Sequence, residues 1–320
     1  MSTDSFYPIC EPFHKGFIDV SDGFKVYFEE SGNPQGTPVL FIHGGPGSGF
    51  SSNNRKYFDP EKYRLIMFDQ RGCGNSLPLG KLEGNTTDKI ILDIDALREF
   101  LDIDKWIVYG VSWGSTLALL YAEEYPNHIL EVVVRGVFFA SYKEMQWYSM
   151  PDGVAQFFPE MYEQMIKVVP ERQRDSFLSV AKYYQTLLKN DDEAIRRDAS
   201  YRWVCWQNVM CEIGVNYEIL RENAQTEKTA NKAMIANHFQ MHGFFIKDEQ
   251  VLKGVDRIKN IPLTIVHGRF DMICPPIYAY NLYKEHGNAR LVMVEDSNHV
   301  TTPSYELKLI NIFDEIGGRL

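Results

Sequence analysis

The sequence has few cysteines, and they follow no regular spacing. Five occur in 320 residues, namely Cys10, Cys73, Cys205, Cys211 and Cys274. Because this odd and scattered set does not suit a disulfide framework, we expect a protein of the reducing cytoplasm. There is also no Cys-x-x-Cys pair with a second pair of Cys or His, so we expect no metal site and no cofactor.

Basic residues are outnumbered by acidic ones, with 33 Lys and Arg against 43 Asp and Glu and a formal net charge of −10. Without a basic run the chain offers no footprint for a phosphate backbone, which argues against a nucleic-acid partner. No stretch approaches the roughly 18 apolar residues of a membrane span. The first ten residues also lack the basic start and apolar run of a signal peptide. We therefore expect no membrane partner, and the oligomeric state stays open.

Short apolar runs alternate with helical patterns in the first part of the chain. The runs at 38–43, 63–69, 107–110 and 129–134 are typical of strands buried on both faces of a parallel sheet. A hairpin is predicted at 17–20 and 24–29, and helices are predicted at 87–101 and 113–125. The same alternation returns late, with strands at 263–267 and 290–294 and helices at 277–286 and 305–316.

The stretch between these two parts has no convincing strand, many aromatic residues, and helical patterns such as 161–168 and 174–188. We interpret it as a helical cap inserted into one sheet. The predicted fold class is thus α/β, with a mostly parallel, doubly wound sheet and an inserted helical cap. Residues 1–136 and 246–320 are predicted to form the catalytic domain, and 137–245 the cap domain.

The segment GVSWG at 110–114 places Ser112 between a predicted strand and a predicted helix. In a G-x-S-x-G turn the glycines leave room for a sharp bend, which raises the serine hydroxyl above the sheet near a helix N-terminus. This pattern predicts Ser112 as a nucleophile. A chance match in a loop is the alternative, and the strand–turn–helix context argues against it.

A glycine-rich loop, HGGPG at 43–47, follows another predicted strand. Acyl transfer needs hydrogen-bond donors aimed at a developing oxyanion, and glycines let backbone N–H groups reach it. We predict an oxyanion hole from Gly45 or Gly44 together with the N–H of Trp113. A plain glycine turn is the alternative, and His43 is predicted to be structural.

Asp271 and His299 each follow one of the late predicted strands. The chain order Ser112, Asp271, His299 is that of the α/β-hydrolase fold, so this triad is predicted to be catalytic. Asp296 is the alternative acid, but it lies in the same loop as His299. In the predicted mechanism His299 removes the proton of Ser112, Asp271 orients His299, and water hydrolyses an acyl-enzyme.

Several longer segments resemble the proline iminopeptidases, also called prolyl aminopeptidases. They are HGGPG at 43–47, DQRGCGNS at 69–76, GVSWGSTLAL at 110–119, RGVF at 135–138, NHF at 237–239, GFF at 243–245, VHGRFD at 266–271 and CP at 274–275. The resemblance covers almost the whole chain. It implies an α/β-hydrolase serine peptidase that needs no metal, works in the cytoplasm and removes an N-terminal proline from a short peptide or a related small molecule.

Two positions depart from this family, in which a glutamate at each holds the free amino group of the substrate. Here they are Gln207 and Ala236. Because a carboxylate is the natural partner of a cationic amine, the resemblance implies a weakened amine anchor. Glu212 is the nearest substitute, although a solvated surface role is the simpler reading of it.

The resemblance implies further residues around the substrate. With Gln207 and Ala236, the predicted substrate-binding set comprises Arg135, Phe138, Trp147, Tyr148, Phe239 and Cys274. For the aromatic residues the alternative is packing inside the cap. Arg135 pairs either with a substrate carboxylate or with a structural acid, and Cys274 is read as a pocket wall rather than a reactive thiol.

Three functions follow from these observations. The first is an amide-bond hydrolase of the proline iminopeptidase type. The alternative is an amidase, esterase or acyltransferase on a substrate without a free α-amine, since Gln207 and Ala236 replace the two glutamates. A binding protein with an inactive site is the third. The sequence does not identify the acyl group or the leaving group.

Overall fold

A computed structural model of the chain describes residues 6–212 and 226–320. One sheet of eight strands runs through it in the order β1-β2-β4-β3-β5-β6-β7-β8. The strands are β1 (His14–Val20), β2 (Phe24–Gly32), β3 (Thr37–Ile42), β4 (Tyr63–Phe68), β5 (Trp106–Val111), β6 (Ile129–Arg135), β7 (Leu263–Gly268) and β8 (Arg290–Val294). β1 and β2 are antiparallel to their neighbours, and the others pair in parallel.

The central strands are buried on both faces, as their continuous apolar runs predict. In β3, Leu40 and Ile42 face one apolar cluster, while Val39 and Phe41 face a second cluster on the other side of the sheet. This division follows from the alternation of side chains along a strand. Helices must cover both faces of such a sheet, because its apolar side chains have no access to water on either side.

The described part of the chain contains the helices α1 (Thr87–Phe100), α2 (Trp113–Glu124), α3 (Tyr142–Ser149), α4 (Pro159–Ile166), α5 (Phe177–Leu188), α6 (Glu193–Cys211), α7 (Glu227–Met241), α8 (Gln250–Gly254), α9 (Pro276–His286) and α10 (Pro303–Gly317). α1 and α2 pack on one face of the sheet, and α10 packs on the other. None of these helices is long and apolar enough to cross a membrane.

Helices α3 to α7 all lie between β6 and β7 in the chain, and no strand occurs among the described residues there. Hydrogen bonds join this helical insertion to the rest of the protein. Trp147 Nε1 donates to the Met272 carbonyl at 2.7 Å, and the Val300 N–H donates to the carbonyl of Cys211, the last residue of α6, at 3.1 Å. The predicted fold class is therefore confirmed. The boundaries at 136/137 and 245/246 stay a prediction.

The predicted elements of the sheet domain agree with the structure to within a few residues, but the cap agrees less well. α6 and α7 were not among the helices that the sequence patterns predicted. The first two turns of α6 are mostly charged, and its buried residues begin only at Ala199. In α7 the small residues Ala233 and Ala236 are buried, so its buried face carries little apolar signal.

A buried carboxyl group lies on α2. Glu123 is 5% exposed and packs against Gly254, where an added Cβ would lie 1.9 Å from Glu123 Oε2. Its Oε1 has no hydrogen-bond partner among the described residues. Burial raises the pKa of Glu123 to about 8 from an ordinary value of 4.5, and the charge of Arg257 offsets this only in part.

This buried carboxyl group predicts a pH-dependent stability. In the folded protein Glu123 stays protonated up to about pH 8, whereas in the unfolded chain it ionises near pH 4.5. The contribution of Glu123 to stability is therefore lost as pH rises from about 4.5 to 8. Glu123→Gln cannot ionise, so its free energy of unfolding relative to wild type should rise by about 2–4 kcal/mol between pH 5 and pH 9. Urea unfolding at both pH values measures this. Glu124→Gln, at an exposed neighbour, is the control, and equal effects at both pH values for Glu123→Gln would contradict the assignment.

Candidate active site

Ser112 lies at the sharp turn between β5 and α2. Its backbone dihedrals, φ 57° and ψ −123°, fall in a region that residues with a side chain rarely adopt. Such strain is characteristic of functional turns and persists only where the surroundings enforce it. Here the Ser112 N–H donates to the Arg135 carbonyl at 2.8 Å, which ties the turn to the end of β6.

The glycines on both sides of Ser112 are required by close backbone packing. A Cβ at Gly110 would lie 2.2 Å from the Gly114 carbonyl oxygen. A Cβ at Gly114 would lie 2.2 Å from the Ile42 carbonyl oxygen, at the end of β3. No side chain fits at either position, which is the physical reason for the G-x-S-x-G spacing.

The glycine loop after β3 lies directly against Ser112. A Cβ at Gly44 would come within 3.1 Å of Ser112 Cβ, and Gly45 has a φ of +123°. Both glycines line the same cavity as Ser112. The N–H of Trp113, in the first turn of α2, has no partner within its own helix. The structure thus brings the predicted oxyanion-hole residues Gly44, Gly45 and Trp113 together around Ser112.

His43 holds this loop in place. The Gln70 N–H donates to His43 Nε2 at 3.0 Å, so the ring carries its proton on Nδ1, which contacts the Gly44 carbonyl oxygen at 2.7 Å. Burial lowers the pKa of His43, although the charge of Asp69 opposes the effect. A neutral imidazole therefore fixes the orientation of the Gly44 peptide, in keeping with the structural role predicted for His43.

Asp271 and His299 form a direct hydrogen bond. His299 Nδ1 donates to Asp271 Oδ2 at 2.7 Å, and Asp271 Oδ1 accepts the Cys274 N–H at 2.8 Å. Burial by itself would raise the pKa of Asp271, but His299 and the Cys274 N–H together hold it below its usual range. Asp271 is therefore an ionised acceptor that orients the His299 ring.

The alternative acid, Asp296, points elsewhere. It is exposed, and both of its carboxylate oxygens accept from Ser304 Oγ, at 2.6 and 2.8 Å. Ser304 lies in the first turn of α10, where a negative charge is favourable. Asp296 thus has a local structural partner and no contact with His299.

Two further residues fit around the Asp271–His299 pair. A Cβ at Gly136 would lie 2.9 Å from His299 Cε1, so only glycine lets the imidazole approach the end of β6. His267 accepts the Val137 N–H at 3.1 Å and contacts the Cys274 carbonyl oxygen at 2.8 Å, which makes it a neutral bridge between two loops. Burial lowers the pKa of His267. In the sequence, both residues stand out only as parts of longer motifs, RGVF at 135–138 and VHGRFD at 266–271.

Ser112 Oγ and His299 Nε2 are not hydrogen-bonded in the structure, although both residues line one cavity. Burial raises the pKa of the Cys274 thiol, and the neighbouring Ser112 hydroxyl opposes this rise only slightly. Hydrogen bonds between a nucleophile and its base are often long or misaligned without substrate and become shorter in the complex. Ser112 Oγ and His299 Nε2 must therefore come within hydrogen-bonding distance before His299 can take the proton.

Asp271, Cys274 and His299 could together hold a metal ion, since their potential ligand atoms lie within 4.8 Å of one another. Burial, however, raises the pKa of the Cys274 thiol well above its usual range, and a metal ligand must be the thiolate. His299 Nδ1 and Asp271 Oδ2 also already bond each other. The chemistry of these donors fits a catalytic pair better than a metal site, and the absence of a metal stays a prediction.

A cavity of about 360 Å³ opens above Ser112. Its volume suits a dipeptide or another small substrate. It is lined by the glycine loop, by residues of α6 and α7, and by the loops around Arg135 and His299. The lining residues are Gly44, Gly45, Ser48, Asn54, Tyr57, Tyr109, Val111, Ser112, Arg135, Gln207, Asn208, Cys211, Lys232, Ile273, His299, Val300 and Thr301.

Of the predicted substrate-binding residues, the structure brings Arg135 and Gln207 to this cavity, whereas Cys274 is a buried neighbour of Ser112 that does not line it. The others do not line it. Phe138, Tyr148, Ala236 and Phe239 are buried, and Trp147 contacts the Met272 carbonyl.

Packing explains where these aromatic residues lie. The Phe239 ring packs on Trp113 with centroids 5.4 Å apart, and the Phe138 ring packs edge-on against Phe244 at 5.3 Å. This is the packing alternative that the sequence left open. Glu212, the substitute acid considered for the amine, is exposed and is not a lining residue.

Three residues that line the cavity are not among those predicted from the sequence, namely Lys232, Asn208 and Cys211. Lys232 lies four residues before Ala236 on α7, and residues with this spacing share one face of a helix. This spacing could have indicated that Lys232 lies near the site, but only if residues 227–241 had been known to be helical.

Comparison with known proteins gives consistent results. Residues 37–302 match the model of the alpha/beta hydrolase fold family. The chain is 40% identical over 294 residues to a probable proline iminopeptidase of Leptolyngbya boryana. The aligned region covers 92% of this chain and 90% of the relative. The chain is also 36% identical over 315 residues to the proline iminopeptidase of Neisseria gonorrhoeae, covering 98% and 99% of the two chains. The resemblance drawn from the motifs is confirmed.

Solved structures agree on the fold. The crystal structure of VinJ has a TM-score of 0.66 at 18% identity and covers 97% of this chain and 100% of its own. An alpha/beta fold family hydrolase from Bacillus anthracis has a TM-score of 0.61 at 22% identity, with coverage of 95% and 100%. At this level of identity the likeness concerns the fold alone.

The geometry around His299 predicts unequal effects for two aspartates. Asp271→Asn should lower turnover by about 10²–10⁴-fold, because an amide cannot hold the imidazole in the same tautomer and charge state. Asp296→Asn should change turnover by less than about threefold, since its partner is Ser304. Steady-state kinetics of both variants with an activated ester or amide measures this. A severe loss in Asp296→Asn with a mild one in Asp271→Asn would reverse the assignment of the acid.

Proposed function

The chain belongs to the proline iminopeptidase family of α/β-hydrolases, and on that premise we propose that it hydrolyses the amide bond after an N-terminal proline or a related small acyl group. The observation that carries the proposal is the hydrogen bond of 2.7 Å between His299 and Asp271 beside a cavity that also contains Ser112. The curated relatives are named for cleavage at proline, which supports the same substrate class.

The proposed reaction proceeds through an acyl-enzyme. Ser112 attacks the scissile carbonyl carbon while His299 takes the hydroxyl proton, and Asp271 stabilises the imidazolium that results. The N–H groups of Trp113 and of the glycine loop stabilise the oxyanion. His299 then gives the proton to the leaving amine and activates the water that releases the acyl group.

No described residue that lines the cavity is acidic, so none of the described lining residues replaces the glutamates that the resemblance implies at 207 and 236. The alternative of an amidase, esterase or acyltransferase without a free amine is not better supported by the relatives. We further propose a short peptide or small molecule as the partner. A cytoplasmic location is supported by the five cysteines, none of which forms a disulfide bond in the described part of the chain.

The first test concerns the nucleophile. Ser112→Ala should reduce turnover by at least ~10³-fold without changing the midpoint of thermal unfolding, because the triad acts as a unit. A fluorophosphonate probe should label the wild type and fail to label the variant. Wild-type protein that is folded but does not react with the probe would instead favour a binding protein on a hydrolase scaffold.

The second test concerns the amine. Gln207 lines the cavity, and Ala236 lies one turn after the lining residue Lys232 on the same face of α7, so an added side chain at 236 extends towards the same cavity. Gln207→Glu with Ala236→Glu should therefore raise kcat/KM for a prolyl arylamide, relative to its deaminated cyclopentanecarbonyl analogue, by about tenfold or more. The reason is that a charge-assisted hydrogen bond contributes about 1.5–3 kcal/mol, and about 1.4 kcal/mol is tenfold. The gain should shrink above the pKa of the substrate amine.

Lys228→Glu is the matched control, because it also makes the net charge more negative by two units but lies at an exposed position of α7. It should leave the ratio unchanged. The proposed loss of the amine anchor would be refuted by a double variant with the wild-type ratio. A wild type that already selects the free amine strongly would refute it as well.

A further inference from the structure

The described lining of the cavity above Ser112 carries positive charge. Two cationic residues, Arg135 and Lys232, line it, and no aspartate or glutamate does so among the described residues. In a cavity of about 360 Å³ both cations are close to any bound substrate. Charge of one sign in a cleft with low-dielectric walls attracts ligands of the opposite sign.

Lys232 is half-buried on α7, beside the glycine loop. A Cβ at Gly47 would lie 3.2 Å from the Lys232 carbonyl oxygen, which places this turn of the helix against the loop. Lys232 makes no ion pair within 4 Å among the described residues. Burial lowers its pKa, and the neighbouring charge of Lys228 adds to the effect. A desolvated ammonium without a partner is unfavourable, and an anionic ligand would relieve it.

Arg135 is the second cation. Its Nη1 donates to the His299 carbonyl at 3.4 Å, and its guanidinium lies 5.4 Å from the centroid of the Tyr305 ring. Its Nε is buried without a hydrogen-bond partner. The sequence left open whether Arg135 pairs with a structural acid or with a substrate carboxylate. Among the described residues no acid lies within ion-pairing distance of it.

The carboxylates around the site either have other partners or lie outside the cavity lining. Asp271 bonds His299 and the Cys274 N–H. Glu306 accepts from Thr301 and forms an ion pair with Lys56 at 2.8 Å. Glu212, directly after α6, is exposed and does not line the cavity. None of these groups is available to neutralise Lys232 and Arg135 together.

From this arrangement we propose that Lys232, assisted by Arg135, binds a carboxylate of the substrate in the cavity above Ser112. The inference rests on the proposed function, since it assigns a substrate class to the same serine hydrolase site. The amides of Gln207 and Asn208, which also line the cavity, are neutral and do not oppose an anion. The site thus selects substrates by negative charge.

The carboxylate has two chemical sources. In a prolyl dipeptide it is the free C-terminus of the leaving amino acid, and in a half-ester of a dicarboxylic acid it belongs to the acyl group. Both sources present the same planar anion to Lys232, at opposite ends of the scissile bond. Matched substrate pairs distinguish them.

The test compares kcat/KM within two pairs. The first is Pro-Gly against Pro-Gly amide, and the second is p-nitrophenyl hydrogen glutarate against p-nitrophenyl valerate. Wild type, Lys232→Met and Lys228→Met are measured at one pH. Lys228→Met is the control, because Lys228 lies one turn earlier on α7 and is exposed. Reaction of each protein with a fluorophosphonate probe is measured in parallel.

We expect wild type to prefer the charged member of at least one pair by tenfold or more. Lys232→Met should bring that ratio near one, mainly through a higher KM for the charged member. Lys228→Met should keep the wild-type ratio. The pair that shows the preference identifies the source of the carboxylate.

Wild-type ratios near one in both pairs would overturn the inference, and so would a preference that survives in Lys232→Met. If the probe still labels the wild type in these cases, the hydrolase function stands and only the assignment of the anion fails. If the wild type is folded but is neither labelled nor active on any of the four substrates, the proposed function itself fails.

Discussion

Three backbone segments meet around Ser112 with no space for a side chain between them. Gly110 and Gly114 pack against one another, Gly114 packs against the end of β3, and Gly44 packs against Ser112 itself. The strained dihedrals of Ser112 persist because these contacts and the bond to the Arg135 carbonyl leave the turn no alternative. The position of the oxyanion-hole donors and the direction of α2 both depend on this close approach.

The base and the acid are held by a second set of contacts, at the ends of β6 and β7. Gly136 leaves space for the His299 ring, and the neutral ring of His267 joins the Val137 N–H to the loop that carries Asp271. Arg135 stabilises the same region by donating a hydrogen bond to the His299 carbonyl. Buried imidazoles without charge are suited to this work, since they bridge backbone groups without adding a cation next to the triad.

Much of the sheet and the triad could be predicted from sequence, because strands 107–110 and 291–294 are continuous apolar runs and Ser112, Asp271 and His299 each come shortly after the end of a strand. The cavity lining could not. Lys232 lies on α7, whose buried face consists partly of alanines, and it reaches the site only through the packing of α7 on the glycine loop. Aromatic residues such as Phe239 give a strong sequence signal but pack against Trp113 instead of lining the cavity.

The hydrogen bond from the Val300 N–H to the Cys211 carbonyl has a consequence for how this enzyme evolves. This hydrogen bond connects the last residue of α6 to the residue next to His299, so the positions of the end of α6 and of the His299 backbone are coupled. A substitution that shifts α6 to admit a new substrate also displaces the imidazole. Changes of specificity in the cap are therefore coupled to the rate of the chemical step, and selection must adjust both at once.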